Sequence, residues 1–259
     1  MTATATQAAS TSNTIYRNRW IAIARSEDVP SRHIFHGRLL GQELAVWRDD
    51  TGRINVWENR CPHRSVRLTI GSHLGDQLKC RYHGWHYATG TGRCMMVPAH
   101  PDAPPPARIG VRVFPAIERA GFIWTACGEP TGDPSAIEHI PLGAHRLRSV
   151  VMPANASVVT DALVRFDSIA TGITGGVARQ VDPLTVVVHG KTGDAEATLV
   201  WLVQPVDVGK AIVHGVFGST PGTADSAGTA HATNATGLAA ARRLNASLNA
   251  FHDRLELVR

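Results

Sequence analysis

Two short runs hold the residues best suited to chemistry. Cys61-Pro62-His63 is followed, after sixteen intervening residues, by Cys80-Arg81-Tyr82-His83. Each run supplies one thiolate and one imidazole, and on a loop tip both can turn toward a single point. Four such ligands suit either a tetrahedral zinc ion or a two-iron, two-sulfur cluster with cysteines on one iron and histidines on the other. Zinc fingers set their histidines together near a helix end. Here each histidine travels with its own cysteine, which favours the cluster.

The elements that must position these runs are strands. Ile54-Asn55-Val56-Trp57 leads into the first run and Gln77-Leu78-Lys79 into the second. From Ile15 to about Gly128 the pattern is all-β. Trp20–Ala24 reads as a strand, and Leu44–Trp47 and Ile54–Trp57 flank a hairpin turn at Asp49-Asp50-Thr51-Gly52. Val111–Phe114 and Phe122–Thr125 flank a second turn at Arg119-Ala120-Gly121. The proline-rich stretch from Pro98 to Pro106 cannot build a ladder and reads as a covering loop. Glu129 to Leu147 reads as a linker. Beyond it, Thr185–Val188, Ala197–Val203 and Ala211–Phe217 predict consecutive antiparallel strands. Ser219 to Thr236 reads as a loop, and Leu244, Leu248, Phe251 and Leu255 recur at helical spacing. The domains expected are therefore a tail at 1–13, a first domain at 14–128, a linker at 129–147 and a second domain at 148–259.

Composition narrows the partners. The chain has 259 residues, 43% hydrophobic and 18% charged, with a net charge of +5. Its basic residues are scattered, so neither nucleic acid nor a membrane is an expected partner. The first thirteen residues lack the basic start and apolar stretch of a secretory signal. With only four cysteines, two of them in the metal runs, a reducing, cytoplasmic location is expected. His33, His36, His73, His86 and His100 are read as loop or surface residues and assigned to no metal.

The fuller run C-P-H-R…C-R-Y-H-G-W-H-Y resembles the signature of Rieske-type non-haem iron oxygenases, vanillate demethylase and its relatives in particular. Respiratory-chain Rieske proteins add a disulfide between the cluster loops. Here Tyr82 precedes His83, and Ser65 and Val66 follow Arg64, so that bridge is impossible. Trp85 stands where those proteins place a serine that raises the potential. The resemblance implies a Rieske-type [2Fe-2S] cluster held by Cys61, His63, Cys80 and His83. It also implies an α+β chain: an all-β Rieske [2Fe-2S] domain, then a truncated helix-grip (START-like) domain with an antiparallel sheet and C-terminal helix.

In that family a second, mononuclear iron is held by two histidines and a carboxylate, and the histidines come from a helix reading roughly N-x-x-D-x-x-H-x4-H. Aligned on Val158-Val159-Thr160-Asp161, this chain places Arg165 at the bridging aspartate, Ser168 and Ile173 at the histidines, and Asp253 near the carboxylate. No histidine lies between His145 and His189. Mononuclear Fe(II) is therefore not expected in this chain. The expected function is a non-catalytic electron-transfer subunit of a hetero-oligomeric, trimer-based Rieske oxygenase of the demethylase or hydroxylase type. Its expected partners are a flavin/iron-sulfur reductase or ferredoxin and a catalytic oxygenase subunit whose small substrate is methylated or aromatic. The alternatives are an active monooxygenase with unrecognised iron ligands, a stand-alone Rieske electron carrier, or a structural subunit whose cluster is never reduced in turnover.

Overall fold

The computed structural model describes residues 15–165, 172–220 and 230–257. Residues 1–13, expected as a tail, lie outside that set. The chain divides into two compact units, one ending at Gly132 and one beginning at Asp133.

Unit one is built from eleven strands in three antiparallel sheets. In chain order they are β1 (Ile21–Arg25), β2 (Ile34–Leu39), β3 (Gln42–Arg48), β4 (Ile54–Glu58), β5 (Ser72–His73) and β6 (Gln77–Lys79). Then come β7 (His86–Ala88), β8 (Cys94–Met96), β9 (Val113–Phe114), β10 (Ala116–Arg119) and β11 (Phe122–Thr125). The sheets run β1-β11-β10, β2-β3-β4-β9 and β5-β6-β7-β8. The β3–β4 turn forms where expected, with Gly52 at φ 89°.

The second expected hairpin needs correction. Ala120 and Gly121 do turn the chain, at φ 52° and 78°. The strand that β11 answers is β10, however, while β9 pairs with β4. Pro115, which has no N–H to give a ladder, separates β9 from β10 and hands the chain from one sheet to another.

A buried core joins the second and third sheets. Trp47, Trp57, Leu68, Leu78 and Tyr87 are fully enclosed, and the two tryptophans meet edge to face at 5.0 Å. Each such side chain contributes about 2–3 kcal/mol by leaving water. A polar latch closes the far end of the same pair of sheets. Asp49 Oδ1 accepts from the Thr51 and Arg53 N–H groups and from the Thr51 hydroxyl, while Thr89 Oγ1 reaches Asp49 Oδ2 at 2.6 Å. The Gly90 N–H donates to Asn55 Oδ1 at 2.7 Å. Burial pushes the Asp49 carboxyl up, but these hydrogen bonds outweigh it and hold the group below the ordinary aspartate value.

Among the described residues, unit two is a six-stranded antiparallel sheet with two helices packed against it. Its strands are β12 (His145–Arg146), β13 (Val150–Met152), β14 (Thr174–Asp182), β15 (Thr185–Thr192), β16 (Ala195–Asp207) and β17 (Lys210–Thr220). The order is β12-β17-β16-β15-β14, with β13 also on β17. Helix α1 (Ala156–Val164) is capped by Asn155, whose side chain accepts from the Val158 N–H at 3.0 Å. Its buried face is Ala156, Val159, Thr160 and Leu163. Helix α2 (Ala230–Leu257) buries Leu244, Leu248 and Phe251, as their spacing requires.

Within 129–147, the Trp20 indole N–H donates to Gly132 O in unit one, and β12 pairs with β17 in unit two. In the stretch read as a loop from Ser219 to Thr236, β17 continues to Thr220 and α2 already starts at Ala230; residues 221–229 lie outside the described set.

Candidate metal centre

The two runs sit on loops of the same design. After β4, the Cys61 N–H donates to Val66 O and the Ser65 N–H returns to Cys61 O, both at 2.8 Å. After β6, the Cys80 N–H donates to Trp85 O at 2.8 Å and the Gly84 N–H returns to Cys80 O at 3.0 Å. The residue four beyond each cysteine is left-handed: Ser65 at φ 54° and Gly84 at φ 69°. Glycine adopts this conformation freely, whereas serine gives up about 1 kcal/mol.

This shared turn drives both thiols inward and both imidazoles outward. Cys61 and Cys80 are each 2% exposed, packed among Trp57, Leu68, Leu78 and Tyr87. His63 is half-buried, His83 is exposed, and their ring centroids lie 4.6 Å apart. Trp85 stacks on His63 at 4.5 Å and 7°, and Tyr82 leans on His83 at 3.8 Å. Partial desolvation, then the nearby His83 and Arg64 charges, lower the His63 pKa. The two thiols therefore pair in the buried core and the two imidazoles pair toward the surface, all four on the same two loops. Among the described residues no three His, Cys, Asp or Glu side chains converge as ligands of a single ion. A ligand set shared two and two between irons does not require that convergence.

The donor set fits a cationic group. Burial raises the Cys80 thiol, as does the neighbouring Cys61, while the Tyr82 and His83 N–H groups partly offset this. Without a cation the Cys80 thiol stays protonated in its apolar pocket. A bound metal ion would deprotonate both thiols, with the Tyr82 and His83 N–H groups already aimed at one sulfur. The Tyr87 hydroxyl lies 3.0 Å from Cys61 Sγ and is itself pushed well above the ordinary phenol value, chiefly by burial. Once the sulfur is a metal-bound thiolate, Tyr87 can only donate. Sequence reasoning gave Tyr87 no role. The signal was its place two residues after Trp85, in the run that closes the second ligand loop.

Residues 19–115 match the family described as Rieske [2Fe-2S] domain. Unit one carries a Rieske domain. The chain is 42% identical to oxidoreductase NdmD of Pseudomonas putida over 205 residues, which is 76% of this chain and 35% of that protein. It is 40% identical to the oxygenase component of chloroacetanilide N-alkylformylase from Rhizorhabdus wittichii over 114 residues, 44% of this chain and 32% of the relative. The chain thus spans about a third of the length of these curated relatives. Among solved structures, NdmB of Pseudomonas putida CBB5 superposes with a TM-score of 0.71 at 19% identity, covering 93% of this chain and 82% of that one. Apo dicamba monooxygenase gives 0.70 at 18% identity, covering 94% and 86%. These superpositions show a likeness of fold that covers residues of both units.

Four positions align in sequence with the ligands and the bridging aspartate expected around the family's second iron. Arg165 caps α1 and is exposed, Asp253 is exposed beside His252 on α2, and Ser168 lies outside the described residues. Ile173 is 1% exposed, just before β14, and packs over Gly190. Two further histidines, His73 and His214, are held by hydrogen bonds within the fold. The Gly75 N–H donates to His73 Nδ1, leaving Nε2 to donate to Arg48 O. His214, fully buried on β17, lies between Ser149 and Gln204, at 2.8 and 2.9 Å. Cys94 and Cys127 are buried free thiols. No described helix is long and apolar enough to cross a membrane.

Proposed function

We propose that this chain is the electron-transfer component of a hetero-oligomeric Rieske oxygenase system, non-catalytic in itself. Cys61 and Cys80 would hold one iron of a [2Fe-2S] cluster, and His63 and His83 the other. When bound, the cluster supplies one-electron transfer. Cys61 and Cys80 keep its sulfur side dry, the Tyr87 hydroxyl and the Tyr82 and His83 N–H groups orient the thiolates, and His63 and His83 present N–H edges to solvent. A reductase or ferredoxin would face that edge on one side of the cycle, and the catalytic subunit of a demethylase- or hydroxylase-type oxygenase on the other.

The observation that carries this reading is the pairing of two buried thiols beneath two outward imidazoles. The likeness to a protein named an oxidoreductase supports the donor role. Loss of the second iron rests on Ile173 and Arg165, neither of which offers a lone pair to a ferrous ion, and on the lack of histidine between His145 and His189. Analysis of the purified chain tests both parts. Two irons and two acid-labile sulfides per chain are expected. Zinc without sulfide would sink the cluster, and a third tightly bound iron with product formed in a single turnover would sink the non-catalytic reading.

A further inference from the structure

The two ligand loops carry a one-sided charge. Residues 60–67 and 79–86 contain Arg60, Arg64, Arg67, Lys79 and Arg81 and no acidic residue. Glu43 reaches in from β3 and engages Arg60 at 2.9 Å and Arg67 at 2.5 Å. Arg64, Lys79 and Arg81 are exposed and form no salt bridge among the described residues. Nor does the bound group cancel them: two ferric ions, two sulfides and two thiolates sum to zero. Between Arg81 and His83 in the chain stands Tyr82, 62% exposed with its ring against His83. Arginine and tyrosine are the side chains that most often anchor protein interfaces.

We propose that this edge docks a carboxylate-rich surface of a redox-partner protein. Arg64, Arg81 and Lys79 meet its carboxylates, and Tyr82 packs with its ring against the imidazole that conducts the electron. The inference rests on the reading of His63 and His83 as cluster ligands. Uncompensated charge around a small exit raises the encounter rate with opposite charge and repels like charge, and salt screens both effects.

The test uses the cluster-loaded chain, reduced and then mixed with either anionic ferricyanide or cationic tris(phenanthroline)cobalt(III). Ferricyanide is expected to react faster at low salt and to slow as salt rises, with the cobalt complex showing the opposite trend. The double variant Arg64→Glu/Arg81→Glu should slow ferricyanide by about tenfold or more at low salt. Arg53→Glu/Arg93→Glu, the same charge change at the far turns of β3–β4 and β7–β8, should have little effect. In a second measurement, fluorescence anisotropy of a labelled hexa-aspartate peptide should report salt-sensitive binding that the loop variant loses and the control keeps. Equal salt trends for the two oxidants, or loop and control variants that behave alike, would overturn the docking proposal. A protein without the visible and magnetic signature of a cluster would instead overturn the functional reading, and the peptide measurement would still judge the charged edge by itself.

Discussion

Replacing Tyr87 with phenylalanine removes one oxygen from a fully buried ring and leaves its packing in place. The hydroxyl sits 3.0 Å from Cys61 Sγ, and its raised pKa keeps it protonated throughout the working range. Reduction adds negative charge to the sulfurs, so an O–H···S bond is stronger in the reduced state than in the oxidised one. A hydrogen bond to a neutral acceptor contributes about 1 kcal/mol, and one to a charged acceptor about 1.5–3 kcal/mol. The differential is thus about 0.5–2 kcal/mol. For a one-electron couple, where 59 mV is a factor of ten, Tyr87→Phe should lower the midpoint potential by about 20–90 mV. Optical titration against mediators reads this directly, with the iron and sulfide content of the variant checked first. An unchanged or raised potential in a fully loaded variant would refute the assignment of Tyr87 as a sulfur donor.

Other outcomes follow from the fold. Asp49→Ala leaves the Thr51 and Arg53 N–H groups and the Thr51 hydroxyl without their acceptor, and should cost about 2–4 kcal/mol in urea unfolding of unit one. Because the folded Asp49 carboxyl is held below its ordinary value, its contribution is complete above the unfolded pKa and disappears as pH falls through the folded one. Acid titration of the wild type should therefore show a loss of stability that Asp49→Asn lacks. Gly84→Ala puts a Cβ at φ 69°, 3.1 Å from Pro98 Cγ, and should cost about 1–2 kcal/mol with poorer cluster loading, whereas Ser65→Gly should be neutral or slightly stabilising by thermal melting. Ile173→His buries an imidazole in an apolar site and should cost about 2–4 kcal/mol; combined with Ser168→His it should still give no oxygenated product when assayed with reductase and ferrous iron.

What the sequence made legible was local. The cysteine and histidine of each pair lie within four residues of one another, so their spacing alone announces a shared centre. Strands β15, β16 and β17 were legible because long apolar runs leave few alternatives. Strand β14 was not, because Thr174–Asp182 is exposed along most of its length and shows no alternation; only its neighbour β15 makes it a strand. The start of α2 was hidden by a composition of alanine, threonine and asparagine that reads equally as a loop. Asp49 and Thr89 stand forty residues apart, and nothing in either hairpin announces the other.

The self-closing ligand loops bear on speed as well as on shape. Each loop ties its cysteine N–H and C=O to its own backbone, with no bond borrowed from the metal. The cradle is held by the chain itself, beneath packed tryptophan, leucine and tyrosine side chains that have no room to re-orient. A cradle fixed by its own hydrogen bonds and packing favours a small reorganisation energy. Transfer at this edge should then be limited by how long partners stay together, rather than by the electron's own step.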